Sequence, residues 1–179
     1  MILRQVTPAD LPAVMKIEEA SFLPAIQERR EVFAERISVC PSCFIMFEDD
    51  IMHEAAGYFS AERWAALPAE NDIFTLNHSA RAAYTPEGSV IYLSSFAILP
   101  QFRGQGRGRE LFAQSISWFS AHNSGLTDAV LLVNEAWKSA VHIYSSYGFR
   151  EKRRIPAFFP SENGPDTDGI IMEKKLSIC

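Results

Sequence analysis

The sequence predicts an α+β domain built around a mixed sheet, and three observations carry the prediction. Short β-rich runs alternate with helical periods along all 179 residues, without an internal repeat. The runs Phe44 to Phe47 and Ala55 to Ala61, joined through Glu48-Asp49-Asp50, read as an antiparallel hairpin. Ala129 to Val133 is almost wholly apolar, as expected of a strand buried on both faces.

In chain order, Met1 to Val6 reads as a first strand. Thr7-Pro8-Ala9-Asp10 then signals a helix start: a capping Thr, a Pro suited to the first turn, and a carboxylate three residues after the cap, where amides are free. That helix runs to about Ser21. A second amphipathic helix is expected within Gln27 to Ser38, where Phe33 and Ile37 stand four apart among charges. After the hairpin, residues 62–88 hold no sustained period and carry Pro68, Pro86 and Gly88. They read as a long excursion, a feature often tied to function. Ser89 to Leu99 is the next strand, followed by a glycine-rich turn and a helix to His122 with Leu111, Phe112, Ile116 and Phe119 on one stripe. Lys138 to Tyr147 is a further helix, stopped by Gly148. Phe149 to Arg154 and Gly169 to Lys174 close the fold around a Pro/Gly-rich loop.

Composition bounds the function. With 47% hydrophobic residues the chain can bury a core as one domain, residues 1–179. Its 17 Lys+Arg against 22 Asp+Glu give a net charge of −5, which repels a phosphate backbone and argues against nucleic-acid binding. An odd count of three cysteines, Cys40, Cys43 and Cys179, fits a reducing compartment, and a cytoplasmic protein is expected. Cys40-Pro41-Ser42-Cys43 reads as an ordinary pair of reduced thiols, since it follows a helix and has no second pair with which to hold zinc. No metal site is expected. No apolar run approaches the roughly 20 residues that cross a bilayer, so no membrane partner is expected either.

The most informative segment is Pro100-Gln101-Phe102-Arg103-Gly104-Gln105-Gly106-Arg107-Gly108. After a strand and opening a helix, its backbone amides and the positive helix end can converge on an anion, and small residues let a phosphate approach the backbone. It lacks the Lys-Ser/Thr of a P-loop, and its glycine spacing departs from the dinucleotide fingerprint. With its surroundings it resembles the GNAT acetyltransferase superfamily: Gln101, Gly104 and Gly106 match that family's Gln/Arg-x-x-Gly-x-Gly/Ala. A second segment, Ala140 to Phe149, is similar to its Ala-x-x-x-Tyr-x-x-x-Gly-Phe.

The resemblance implies a single-domain fold with a mixed, mostly antiparallel twisted sheet of about seven strands flanked by helices. It also implies direct acetyl transfer from acetyl-CoA to a primary amine, a small-molecule amine being favoured, with a homodimer allowed. By resemblance, the amides of Arg103, Gly104, Gln105, Gly106, Arg107 and Gly108 hold the pyrophosphate, Phe96, Ala97 and Ile98 pair with the pantetheine arm, and Tyr144 is the general acid, with Tyr147 as its rival. Asn134 is a further cofactor candidate, although Trp137 stands where many members have their contacting Asn. An arylalkylamine-type branch is similar in Glu18 to Phe22 and in the long excursion, but its two strand histidines correspond to Tyr92 and Ser94 here.

The amine must still lose a proton. Glu19 and His78 are the candidate bases, with Ser94 orienting a water. Phe22, Leu23, Trp64, Phe74, Phe158 and Phe159 are candidates for an acceptor pocket or for core. Two alternatives stay open: a non-catalytic acyl-CoA-binding module, and a protein N-terminal acetyltransferase.

Overall fold

A computed structural model describes residues 1–104 and 106–176. Seven strands form one sheet in the order β1-β2-β3-β4-β5-β7-β6. They are β1 (Ile2–Gln5), β2 (Phe44–Glu48), β3 (Ala55–Trp64), β4 (Val90–Ile98), β5 (Asp128–Asn134), β6 (Arg150–Phe159) and β7 (Thr167–Lys175). Five helices flank them: α1 (Leu11–Ser21), α2 (Arg30–Val39), α3 (Ala80–Ala83), α4 (Arg107–His122) and α5 (Lys138–Ser146). Every neighbouring pair is antiparallel except β4 with β5. None of the described helices is long and apolar enough to cross a membrane.

The entry into α1 follows from the cap signal. The amide and hydroxyl of Thr7 donate to the Asp10 carboxylate at 2.8 and 2.7 Å, and Arg4 holds the same carboxylate from β1 at 2.7 and 2.9 Å. Strand alternation then sorts the core. Tyr58, Ser60, Glu62 and Trp64 share the face of β3 covered by α1, α2 and the loop before β4, with Phe33 edge-on to Tyr58 at 5.5 Å. Phe59 and Ala61 share the other, where Phe59 meets Phe112 of α4 at 5.6 Å.

Three sequence expectations are corrected. β3 runs on through Glu62, Arg63 and Trp64, so the excursion begins at 65; the two charges disguise a strand because both are buried and partnered. β6 continues through Pro156 to Phe159 with a register shift, which an edge strand tolerates because a missing N–H there breaks no ladder. Cys40 and Cys43, expected as free thiols, are paired as a disulfide across the single turn 41–43, where their Cα atoms lie 5.4 Å apart.

The feature that positions the site is a gap in the sheet. β4 and β5 pair from Val90↔Asp128 to Leu93↔Leu131 and then separate. Beyond that point β5 follows β7, and β4 follows β3 from Ser95↔Ser60 to Ile98↔Gly57. Ser94 is the residue skipped in the register shift opposite Ser60 and Ala61. The side of β4 that faced β5 is left unpaired over Ser94 to Ile98.

Candidate active site

A cavity of about 400 Å³ fills this gap. Its wall takes Leu93 to Phe96 from β4, Leu131 to Val133 from β5, Phe112 from α4, and Trp137, Ala140 and Tyr144 from α5 and its start. The spacing 137, 140, 144 puts those three on one helix face. On the other side of the sheet it reaches Glu18 and Glu28, the stretch Phe74 to His78 without Asn77, and Tyr92. Phe158 and Phe159 at the end of β6, with Pro160 just after it, close the cavity. An aromatic chain links the end of β6 to the α1–α2 segment: Phe22 lies 5.9 Å from Trp137, Trp137 lies 5.4 Å from Phe159, and Phe159 lies 4.9 Å from Phe158. Leu23 and Trp64 do not line the cavity; Leu23 is exposed and Trp64 is core.

Tyr144 stands where α5 meets the gap, with Phe112 at 5.0 Å and Phe149 at 6.3 Å. Burial pushes its phenol well above the ordinary value, so it holds its proton as a neutral donor. Among the described residues its hydroxyl makes no hydrogen bond. Tyr147, the rival, packs edge-on to Phe112 and under the Lys174 ammonium, and it does not line the cavity.

On the opposite face the carboxylate in the cavity is Glu18, and Glu19 projects into solvent outside it. Leu11, Val14, Ile17 and Glu18 form the buried stripe of α1, and Glu19 lies about 100° further round the helix. Glu18 accepts from the Tyr58 hydroxyl and, at 2.8 Å, from the Glu28 amide. Since Tyr58 donates to Glu18, it is Ser95 on β4 that donates to Tyr58 at 2.9 Å, and a hydrogen-bonded chain runs from Glu18 to the gap. Burial pushes the Glu18 carboxyl up to about 7, against the opposing donors. A carboxylate on an apolar helical stripe was the available signal for this residue.

A second network lies beside it. Arg36, fully enclosed, is held by Glu28 on one side and donates from Nε to Glu62 at 2.8 Å on the other. Glu62 also accepts from Trp64 Nε1 at 3.0 Å and from His78 Nε2 at 2.9 Å. Burial alone would raise the Glu62 carboxyl, but His78 and Arg36 overcome it and hold it down to about 2. His78 Nδ1 meets the Thr75 carbonyl at 3.0 Å. Both ring nitrogens therefore face acceptors only, which requires an imidazolium, and the His78 pKa is raised accordingly: burial opposes the charge and Glu62 outweighs it. His78 is a fixed cation in this arrangement, with no lone pair to accept an amine proton. Ser94 is bonded to Ser60, with its Oγ 2.8 Å from the Ser60 Oγ and 3.0 Å from the Ser60 carbonyl.

The glycine-rich turn opens at the same end of β4. Gly104 and Gly106 adopt φ of +90° and +76°, which favours glycine, and a Cβ on either would meet nothing within 4 Å. Among the described residues, the amides of Gly104, Gly106 and Gly108 find no acceptor, while Arg107 and Arg109 donate to the carbonyls of Gly104 and Gly106 at 3.0 Å. Gln105 lies outside the described residues. Phe96 and Ala97 lie on the unpaired stretch of β4; the Ile98 carbonyl there accepts from Arg103 Nε at 2.6 Å. Asn134 is turned inward: its Oδ1 accepts from the Ala136 amide at 2.8 Å and from the Thr167 hydroxyl at 2.9 Å, and Trp137 takes the place on the cavity wall.

Residues 70–156 match the model of the acetyltransferase (GNAT) domain. Over these residues the chain is similar to the GNAT superfamily. The whole sheet, including the parts outside that match, superposes on solved structures. The GphF GNAT-like decarboxylase in complex with isobutyryl-CoA is similar at 16% identity, with 99% of this chain and 100% of that one covered and a TM-score of 0.81. The loading GNATL domain of CurA from Lyngbya majuscula is 17% identical over 97% of this chain and 96% of its own, with a TM-score of 0.79. The ribosomal-protein-S18-alanine N-acetyltransferase from Escherichia coli is 20% identical over 99% and 95%, with a TM-score of 0.72. At these identities the likeness is one of fold. Among curated proteins none matches the sequence significantly.

Proposed function

We propose that this GNAT-like protein is an N-acetyltransferase that moves the acetyl group of acetyl-CoA directly to the primary amine of a small molecule. The observation that carries the reading is the continuous cavity through the sheet, with the protonated Tyr144 phenol on one side and the Glu18 carboxyl, poised near neutrality, on the other. The fit to the CoA moiety rests on the unpaired edge of β4 at Phe96 and Ala97, which suits the amides of a pantetheine arm. Among the described residues the amides of Gly104, Gly106 and Gly108 have no acceptor, and at the start of α4 they suit a pyrophosphate. Arg103 and Arg107 add positive charge at that turn.

Acetyl-CoA supplies an acyl carbon activated as a thioester, and its sulfur leaves as the thiol. Glu18 takes the first proton from the acceptor ammonium, directly or along the Tyr58–Ser95 chain, and frees the nitrogen lone pair for attack. Tyr144 gives its proton to the departing sulfur as the C–N bond forms and the C–S bond breaks. The second proton on nitrogen restores the phenol, and Glu18 releases the first to water. The products are an amide, a thiol and one proton.

The aromatic chain from Phe22 to Phe158 narrows the approach between the α1–α2 segment and the end of β6, which favours a small amine over a peptide terminus. The likeness to a GNAT-like decarboxylase raises a second reading, action on a carboxylated acyl-CoA. Against it, Glu28 and Glu62 are already balanced by Arg36 and His78, and the Glu18 carboxyl on the wall, once ionised, favours a cation over a carboxylate. Incubation with acetyl-CoA and, separately, small amines and peptides, or with a carboxyacyl-CoA alone, decides among these. Mass spectrometry should show acetylated small amine. Decarboxylation of the carboxyacyl-CoA without amide formation would overturn the reading.

A further inference from the structure

The cavity wall contains one phenol that the proposed chemistry does not use. Tyr92, on β4, is only 4% exposed, and its ring is clamped by a stacked Trp64 at 4.2 Å and an edge-on Phe74 at 5.4 Å. Its environment is otherwise a saturated polar network. The carboxylate of Glu62, opposite it in register, is taken up by Arg36, Trp64 and His78, and His78 by Glu62 and Thr75. Among the described residues the Tyr92 hydroxyl has no hydrogen-bond partner, although the residue lines the cavity. The ring is fixed in the core while the hydroxyl opens on the cavity, so this donor is held in place by its ring and is free to bond an occupant of the cavity.

Burial and the Glu62 carboxylate keep this phenol protonated, so it stands at the cavity wall as a neutral donor. The charges around it cancel: Glu28 and Glu62 against Arg36 and His78. A neutral oxygen therefore suits it better than an anion. From Ser95, where the Glu18 chain reaches β4, to Tyr92 is three residues, roughly 10 Å of strand. The wall nearby is apolar, with Phe74 and Leu76. We propose that Tyr92 is a specificity-determining residue whose hydroxyl donates to a neutral oxygen on the acceptor, at the end of an apolar body remote from its amine. This deepens the acetyltransferase reading, since it assigns the amine end to Glu18, and it names the acceptor class as small amines bearing a distal hydroxyl, ether or carbonyl oxygen.

The test is a binding measurement on the CoA-loaded protein, using 4-hydroxyphenethylamine and phenethylamine, which differ only in the distal oxygen. Calorimetric titration of the wild type should show the oxygen-bearing amine bound about three- to tenfold more tightly, the range of one neutral hydrogen bond. Tyr92→Phe, which keeps the ring and its stacking on Trp64, should bind both amines equally and bind phenethylamine as the wild type does. Equal binding of the two by the wild type, a preference that survives in Tyr92→Phe, or binding of neither overturns the proposal. Acetylation of the same amines is read separately: a Tyr92-dependent preference without amide product would refute the acetyltransferase reading and leave the recognition role standing.

Discussion

Glu18 and Glu19 are neighbours in sequence with opposite fates, because one residue step turns the α-helix by about 100°. The sequence supplies both carboxylates and a stripe of Leu11, Val14 and Ile17, and the stripe alone determines which of the two faces inward. A carboxyl held neutral to about 7, where an unfolded glutamate ionises near 4.5, makes the native state the stronger proton binder in that window. Stability therefore falls as pH rises through it. Glu18→Gln removes this cost: the wild type should lose on the order of 3 kcal/mol relative to the variant between about pH 5 and pH 8, read by urea unfolding at both. Tyr144 makes a different prediction, because its neighbours are rings and a phenylalanine fits the same space. Tyr144→Phe should retain fold and CoA affinity within about twofold while turnover falls roughly 10²-fold or more, measured by thiol release. Unchanged turnover with a good acceptor would remove the phenol from the chemistry.

At the scale of elements, what was legible followed from local rules. Gly104 and Gly106 stand between β4 and α4 with the positive φ their residue type favours, and α4 ends at His122, three residues beyond the last apolar residue of its stripe, Phe119. The gap between β4 and β5 was legible only through resemblance, since separation after Leu93 depends on which partner each strand follows. Glu62 and Arg36 were missed for a plain reason. A charged residue in a pattern reads as solvent-facing, and only the assembled structure shows that β3, α2 and the loop before β4 bring compensating charges together. The same residues join three elements, so removing one strands the others. Glu62→Ala leaves Arg36 and His78 without their shared carboxylate and should cost about 3–5 kcal/mol in denaturant unfolding. Hydrogen exchange should rise most in the segment from Phe74 to His78. A loss under 1 kcal/mol would show that the network is not what holds that loop.

At the scale of the molecule, the net charge of −5 conceals a division of labour. Arg103, Arg107 and Arg109 cluster in sequence at the glycine-rich turn and the first residues of α4, while the cavity across the sheet presents the Glu18 carboxyl. One end suits a polyanion and the other a cation, and the gap in the sheet is where the two would meet. The account stands on Glu18 losing its proton to let the amine react, so the pH dependence of amide formation tests it most directly. With acetyl-CoA saturating and a small amine varied, kcat/KM for the wild type should rise with pH through an inflection near 7 as Glu18 ionises, and in Glu18→Gln the rate should fall at least about 10²-fold with that inflection gone. An inflection that persists unchanged in Glu18→Gln, or full activity in that variant, would contradict the account.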